Sequence, residues 1–322
     1  MHRCLLLLAV AGGLGGFAFQ PAMAANVKIT PFGSHDGEFC ARDRAIVFED
    51  PDGTRILYDA GQTVAGASDP RLGKIDIVLL SHAHSDHLGD RHTKAVNAGT
   101  CAHPDMSVVD APSSNTEKIV VAKKAKFLVG GEMSRFFPKR IAAAGGDKNQ
   151  VLTLRFGADR KIGGVTIWSV PAAHTNGLSP VFLTGPLAKE MADNGLTAYV
   201  GPPGGYVVRF SNGLTAYLSG DTGVISEQAT VVREELHANL VVMNIGGGAT
   251  TGPKEAAYVI NDLVKPNSVI ASHANEEATK HGMILPGTKT AAFKAASKVP
   301  VYASLSGKTL EFDGHGKCVG GC

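Results

Sequence analysis

Net charge is nearly absent from this chain. Its 31 basic and 29 acidic side chains leave a formal charge of +2 over 322 residues. That balance does not suit a surface for a phosphate backbone, so nucleic acid is not an expected partner. Long apolar runs are missing too: after residue 24 nothing approaches the roughly 20 apolar residues a membrane-spanning helix needs, so no stable membrane insertion is expected of the mature chain. Cysteine is sparse, five in all, and none is spaced with a histidine as metal ligands would be. What remains, 44% hydrophobic residues and 39 glycines, is the composition of a globular domain with a substantial core and many tight turns.

The first 24 residues read as an export signal. Met1-His-Arg3 is a short basic start, Leu5 to Val10 is apolar, and Ala22-Met-Ala24 suits cleavage after small residues. Gly12, Gly13, Gly15 and Gly16 interrupt the run and argue against a membrane anchor. The expectation is a periplasmic or secreted protein whose mature part, 25–322, forms one domain. Cleavage removes Cys4 and leaves Cys40, Cys101, Cys318 and Cys322, an even set suited to disulfides outside the cytosol. Four cysteines allow three connectivities. One of them closes the small loop Cys318-Val-Gly-Gly-Cys322 and leaves Cys40 for Cys101; spacing alone does not choose.

Four apolar runs each end on a residue of metal-ligand type: Ile75 to His82, Val165 to His174, Leu214 to Asp221, and Asn267 to His273. Short β-branched runs of this kind read as buried strands, so the ligand types collect where strands give way to loops. Hairpins are expected at 45–59, turning at Asp52-Gly53, and at 206–221, turning at Asn212-Gly213. Each closes on an acidic residue beside glycine, and after each comes a strand ending in histidine, His82 or His273. This repetition predicts two related β-rich halves whose ligand edges face one another. Helices are expected at 87–97, at 226–237 and at 253–264, the last with Pro253 in its first turn and Pro266 past its end. Strands inside and helices outside make the fold class α/β, an αββα sandwich.

The densest cluster is His82-Ala-His84-Ser-Asp86-His87. Histidines two apart in an extended turn point the same way, so His82 and His84 suit one ion, with His174 as its third nitrogen. Asp86 and His87 lie one turn further on and suit a second ion, completed by His273. The two oxygens of Asp221 suit a bridge between the ions. Such a set leaves an open position on each ion, as catalytic zinc sites do. Asp59 is expected to support a ligand by a hydrogen bond, and His35, in an early loop, is a further candidate at the rim of the site. His92, His103, His237, His281 and His315 lack a partner pattern and are expected at the surface.

With His174, Gly220-Asp221-Thr-Gly223 and His273, the cluster resembles the metallo-β-lactamase superfamily. Asn244-Ile-Gly-Gly and Gly252-Pro-Lys-Glu-Ala-Ala257 are similar to the branch containing L-ascorbate-6-phosphate lactonase. The resemblance spans 27–312 in outline and is close around 54–89, 165–177, 206–223 and 240–273. It implies an αββα fold and two divalent ions, zinc first with manganese or iron as alternatives. It also implies hydrolysis of a small-molecule ester, lactone or phosphodiester. Next to the attacking water, Asp86 is suited to relay a proton to the leaving group. The chain departs from that branch in its export signal, its cysteines and apparent extra segments at 101–150 and 178–203. The second segment leaves after His174 and returns before Asp221, and so is expected to wall or lid the metals. β-Lactam hydrolysis is the alternative that export keeps open, although dedicated β-lactamases generally lack a bridging carboxylate. A binding protein without turnover is the other alternative. A redox di-iron centre would suit a carboxylate at position 84, and His84 stands there instead.

Overall fold

In the strand Arg55–Tyr58 every side chain but the first is buried, on both faces. Ile56 and Tyr58 join one apolar cluster while Leu57 joins another. The same split divides Ile77 and Leu79 from Val78, and Leu240 and Val242 from Val241 and Met243. Strands that are apolar on both sides must be covered on both sides, and that requirement builds the molecule. The computed structural model describes residues 25–322; the export signal expected at 1–24 lies outside the described residues.

Two sheets pack face to face. The first has eight strands in the order Cys318–Gly320, Leu310–Phe312, Val27–Pro31, Ile46–Glu49, Arg55–Tyr58, Ile77–Leu79, Lys126–Val129 and Val151–Thr153. The second has seven, in the order Val301–Ala303, Ser268–Ser272, Leu240–Asn244, Thr215–Leu218, Gly204–Arg209, Val165–Pro171 and Asp159–Ile162. Each sheet is an antiparallel meander that continues into three parallel pairings. Helices Asn115–Lys123 and Met133–Ala143 cover the outer face of the first sheet through Ile119, Val120, Phe137 and Ile141. Ala256, Ile260 and Phe293 cover the second. The layers are αββα.

Both expected hairpins form, at Ile46–Tyr58 and Gly204–Leu218. The repetition between halves is real but offset. Ile77–Leu79, the strand before His82, lies beside the first hairpin. Its counterpart beside the second is Leu240–Asn244, not the strand before His273, which lies one place further out. The helix expected over 87–97 is a single turn, Ser85–Leu88. Gly89 ends it in the left-handed region, where a Cβ would stand 2.5 Å from the Gly61 carbonyl oxygen. The other two helices occupy their expected segments but widen to π-helix, over Gln228–Arg233 and Val259–Val264.

Segment 101–150 is no appendage. It supplies the strand Lys126–Val129 next to Ile77–Leu79 and two helices of the outer layer, and Phe127 and Val129 are fully buried there. Segment 178–203 is anchored on the outer layer of the first sheet. Leu178 and Phe182 join the outer cluster of the first sheet, and Arg140 Nη1 donates to the Phe182 carbonyl. Disulfides link Cys40 to Cys101 and Cys318 to Cys322. No helix among the described residues is long and apolar enough to cross a membrane.

Candidate metal centre

Four loops at one edge of the two sheets bring seven side chains together. His82 follows Ile77–Leu79, and His84, Asp86 and His87 lie on or beside the helical turn Ser85–Leu88. His174 follows Val165–Pro171, Asp221 follows Thr215–Leu218, and His273 follows Ser268–Ser272 directly. Their ligand atoms converge in three overlapping groups: His82, His84 and His174; His82, His87 and Asp221; and Asp86, His87 and His273. In the first, His84 Nδ1 lies 3.0 Å from His82 Nε2 and 3.3 Å from His174 Nε2. In the third, His273 Nε2 lies 3.4 Å from Asp86 Oδ2. Asp221 reaches across: its Oδ1 is 3.4 Å from His87 Nε2, and its Oδ2 is 3.1 Å from His273 Nε2 and 3.7 Å from His174 Nε2.

Orphaned atoms mark what this arrangement fits. His87 Nε2, Asp221 Oδ1 and His273 Nε2 are buried and have no hydrogen-bond partner among the described residues. Buried polar atoms are seldom left unpaired, and these point into one small space. The protonation pattern agrees. Burial, reinforced by His87, holds His82 well below the usual imidazole range, and burial with His174 lowers His84; neutral imidazoles are what a metal requires. Burial opposes a charge on His87 as well, but Asp221, Asp86 and Asp59 around it outweigh burial and raise it well above its ordinary value. Burial likewise pushes Asp86 and Asp221 up. His87 above all, with Arg44 and His273 helping at Asp86 and His273 at Asp221, holds both carboxyls well below the usual range. Two carboxylates that draw positive charge onto His87 between them, beside His82 and His84 held neutral, fit divalent ions.

Surrounding bonds hold the ligand-type residues in place. Asp59 Oδ2 lies 2.8 Å from His87 Nδ1 and accepts from Ser81 Oγ at 2.7 Å, while its Oδ1 accepts from the Ser81 amide. Ser81 Oγ is in turn 3.0 Å from His82 Nδ1. Asp59 and His273 both have positive φ, 43° and 52°, a conformation few non-glycine residues adopt and one that clusters at functional sites. The Asp221 turn is tied to the His174 loop by the Ala173 amide donating to Thr222 Oγ1 and the Gly223 amide to the Ala173 carbonyl. Asn244 Nδ2 donates to the Thr222 carbonyl.

Sequence reasoning passed over Ser81, Arg44 and Asn176. Arg44 is buried, donates from Nε to Asp86 Oδ2 at 3.1 Å and from Nη2 to Asn275 Oδ1. Asn275, two residues past His273, was the available hint. Asn176 Oδ1 accepts from the Ala83 amide, and its Nδ2 donates to the Gly201 carbonyl. Its place two residues after His174 was its only signal. His35 is in none of the three groups; its ring lies against Ser34 and the Gly99 carbonyl. His92 is not at the surface. It is buried with Nδ1 2.6 Å from the Thr93 carbonyl oxygen, because Gly66 leaves room for its ring.

A family model described as "Beta-lactamase superfamily domain" matches residues 43–273. The chain belongs to that superfamily and is a metal-dependent hydrolase within it. A UPF0173 metal-dependent hydrolase from Cupriavidus necator is 28% identical over 268 residues, 81% of each chain. Another from Polynucleobacter asymbioticus is 27% identical over 272 residues, again 81% of each. Among solved structures, Igni18, a metallo hydrolase from Ignicoccus hospitalis, is similar with a TM-score of 0.60 at 21% identity, covering 89% of this chain and 99% of that one; it speaks for the fold.

Proposed function

We infer that this protein is an exported hydrolase with two divalent metal ions, acting on a small-molecule ester, lactone or phosphodiester. The observation that carries the reading is the span of Asp221, which reaches His174 of one trio and both His87 and His273 of the other. His82, His84 and His174 would hold one ion, Asp86, His87 and His273 the other, and Asp221 both. Five imidazoles and two carboxylates favour zinc over harder ions. Bound there, divalent ions acidify water and polarise the substrate oxygen.

The chain's own residues then have distinct tasks. Asp59 and Ser81 orient the His87 and His82 rings. Arg44 fixes Oδ2 of Asp86, and the side chain keeps 30% exposure, leaving the other carboxylate oxygen to take a proton from water and pass it to a leaving oxygen. The disulfide between Cys40 and Cys101 supports export, because such bonds persist outside the cytosol.

Elemental analysis of the purified mature protein, with specificity constants for an aryl ester, an acyl lactone, an aryl phosphodiester and a penicillin, tests this. Two ions per chain and an oxygen-ester preference are expected, with metal and turnover lost together in His84→Ala and Asp221→Ala. One ion in a fully active preparation, or a penicillin preferred by more than about tenfold, overturns it.

A further inference from the structure

A cavity of about 400 Å³ lies apart from the seven converging residues and has no task in the reading above. It is lined by Gly131, Glu132, Arg135, Arg155, Phe156 and Pro202, among others. These residues come from the turn after Lys126–Val129 and the first turn of the helix Met133–Ala143, from the turn after Val151–Thr153, and from the loop before Gly204–Arg209. Both of those strands run parallel to Ile77–Leu79, after which His82 stands. The cavity therefore opens at the same sheet edge as the metal centre, displaced sideways across strands spaced by about 5 Å.

Its wall on that side is built into the site. Asn176 holds the Gly201 carbonyl with its Nδ2 and the Ala83 amide with its Oδ1. Two residues past Pro202, the Gly204 amide donates to the Ser81 carbonyl. The Phe156 ring packs on Gly204, where a Cβ would stand 2.9 Å from its Cε1. An exposed apolar ring thus lies against the residue that ties this wall to the histidine loop.

The guanidiniums are the telling feature. Among the described residues, Arg135 and Arg155 are the arginines whose side chains make no hydrogen bond or ion pair; every other one does. Both line this one cavity. Glu132, the carboxylate in the lining, pairs with neither and turns an oxygen toward Gly201. Two positive groups against one negative match a monoanion, and a guanidinium fork matches the two oxygens of a carboxylate.

We propose that this cavity receives the carboxylate-bearing end of an organic substrate, with Phe156 against its apolar middle, while its scissile bond lies at the metal centre. This rests on the hydrolase reading, so the test has an arm independent of turnover. Binding of 3-phenylpropionate, an unreactive carboxylate, is measured by calorimetry on the metal-loaded wild-type protein, on His84→Ala and on Arg135→Gln/Arg155→Gln. Affinity should fall by at least about tenfold in the double variant and persist in His84→Ala. No binding to wild type, equal binding to the double variant, or loss in His84→Ala alone overturns the proposal. The second arm compares aryl hemiesters of dicarboxylic acids with their neutral methyl esters. The acid should be preferred by about tenfold in wild type, with the preference lost through KM in the double variant at unchanged metal content. Turnover without that preference sinks the proposal and spares the hydrolase reading; carboxylate binding without turnover of any of these esters overturns the ester-hydrolase reading and, with it, the placement of a scissile bond at the metal centre.

Discussion

The backbone N–H of Ala83 donates to Asn176 Oδ1 at 2.7 Å, so a residue 93 positions away sets the path of the chain between His82 and His84. Asn176 is only 5% exposed, and water cannot readily replace it.

Asn176→Ala should therefore loosen the histidine loop. It leaves a buried donor and a buried carbonyl without partners, each costing about 1–3 kcal/mol. Metal affinity should fall by about tenfold or more, measured by competition with a chelator. Asn176→Asp keeps the acceptor for Ala83 and should retain more affinity than alanine. Equal, wild-type affinities in both variants would show that the bond has no part in holding the metals.

Asp59→Asn probes the support behind His87. The amide can still accept from the Ser81 backbone, but its NH₂ group then faces His87 Nδ1 or Ser81 Oγ, where Asp59 now presents an acceptor. The ring would lose its orientation and its basicity. A loss of about 10- to 100-fold in metal affinity is expected. Metal titration followed by circular dichroism separates this from unfolding, and full affinity in a folded variant would count against the role.

Asp43 predicts a pH dependence of stability. Burial pushes its carboxyl up to about 6, against the opposing pull of the Cys40 and Ser34 amides and of Arg44. Between the ordinary carboxyl range and pH 6 the folded chain then holds more protons than the unfolded one. Its stabilising contribution is complete at the acid end and lost as pH rises to 6, by about 3 kcal/mol. Asp43→Asn cannot titrate, so the wild type's stability relative to the variant should decline from pH 4 to pH 7 in urea unfolding. A flat difference would contradict the sign.

The two disulfides should differ in weight. Cys40–Cys101 closes a separation of 61 residues and Cys318–Cys322 one of 4. The loop-entropy relation gives about 4 kcal/mol for the first and about 2 for the second. Cys40→Ser/Cys101→Ser should accordingly lower the thermal midpoint well beyond Cys318→Ser/Cys322→Ser. The reverse order would place the main effect in the folded state rather than in chain entropy.

The seven converging residues were legible because each sits at the end of a local signal, an apolar run followed by a turn. Strand formation is decided within a few residues, and a histidine or aspartate just past the run is carried to the sheet edge with it. The hairpins at Gly53 and Gly213 were legible for the same reason, since the turn residues lie beside the strands they join. The helix expected after His87 failed because its stop is not local. Gly89 ends it by packing against Gly61 and Asn115, neither of them a neighbour in sequence.

The strand runs, the turns and the donor types at the strand ends are all written in short stretches of the chain. Tertiary structure decided which partners those donors meet: Asp59 with His87, Arg44 with Asp86, Asn176 with Ala83. It also decided the offset between the halves and the inward turn of His92. Periodicity and turn chemistry act over a few residues, whereas burial and the pairing of buried polar atoms are settled by contacts between segments as far apart as Gly33 and Ser306, 273 positions.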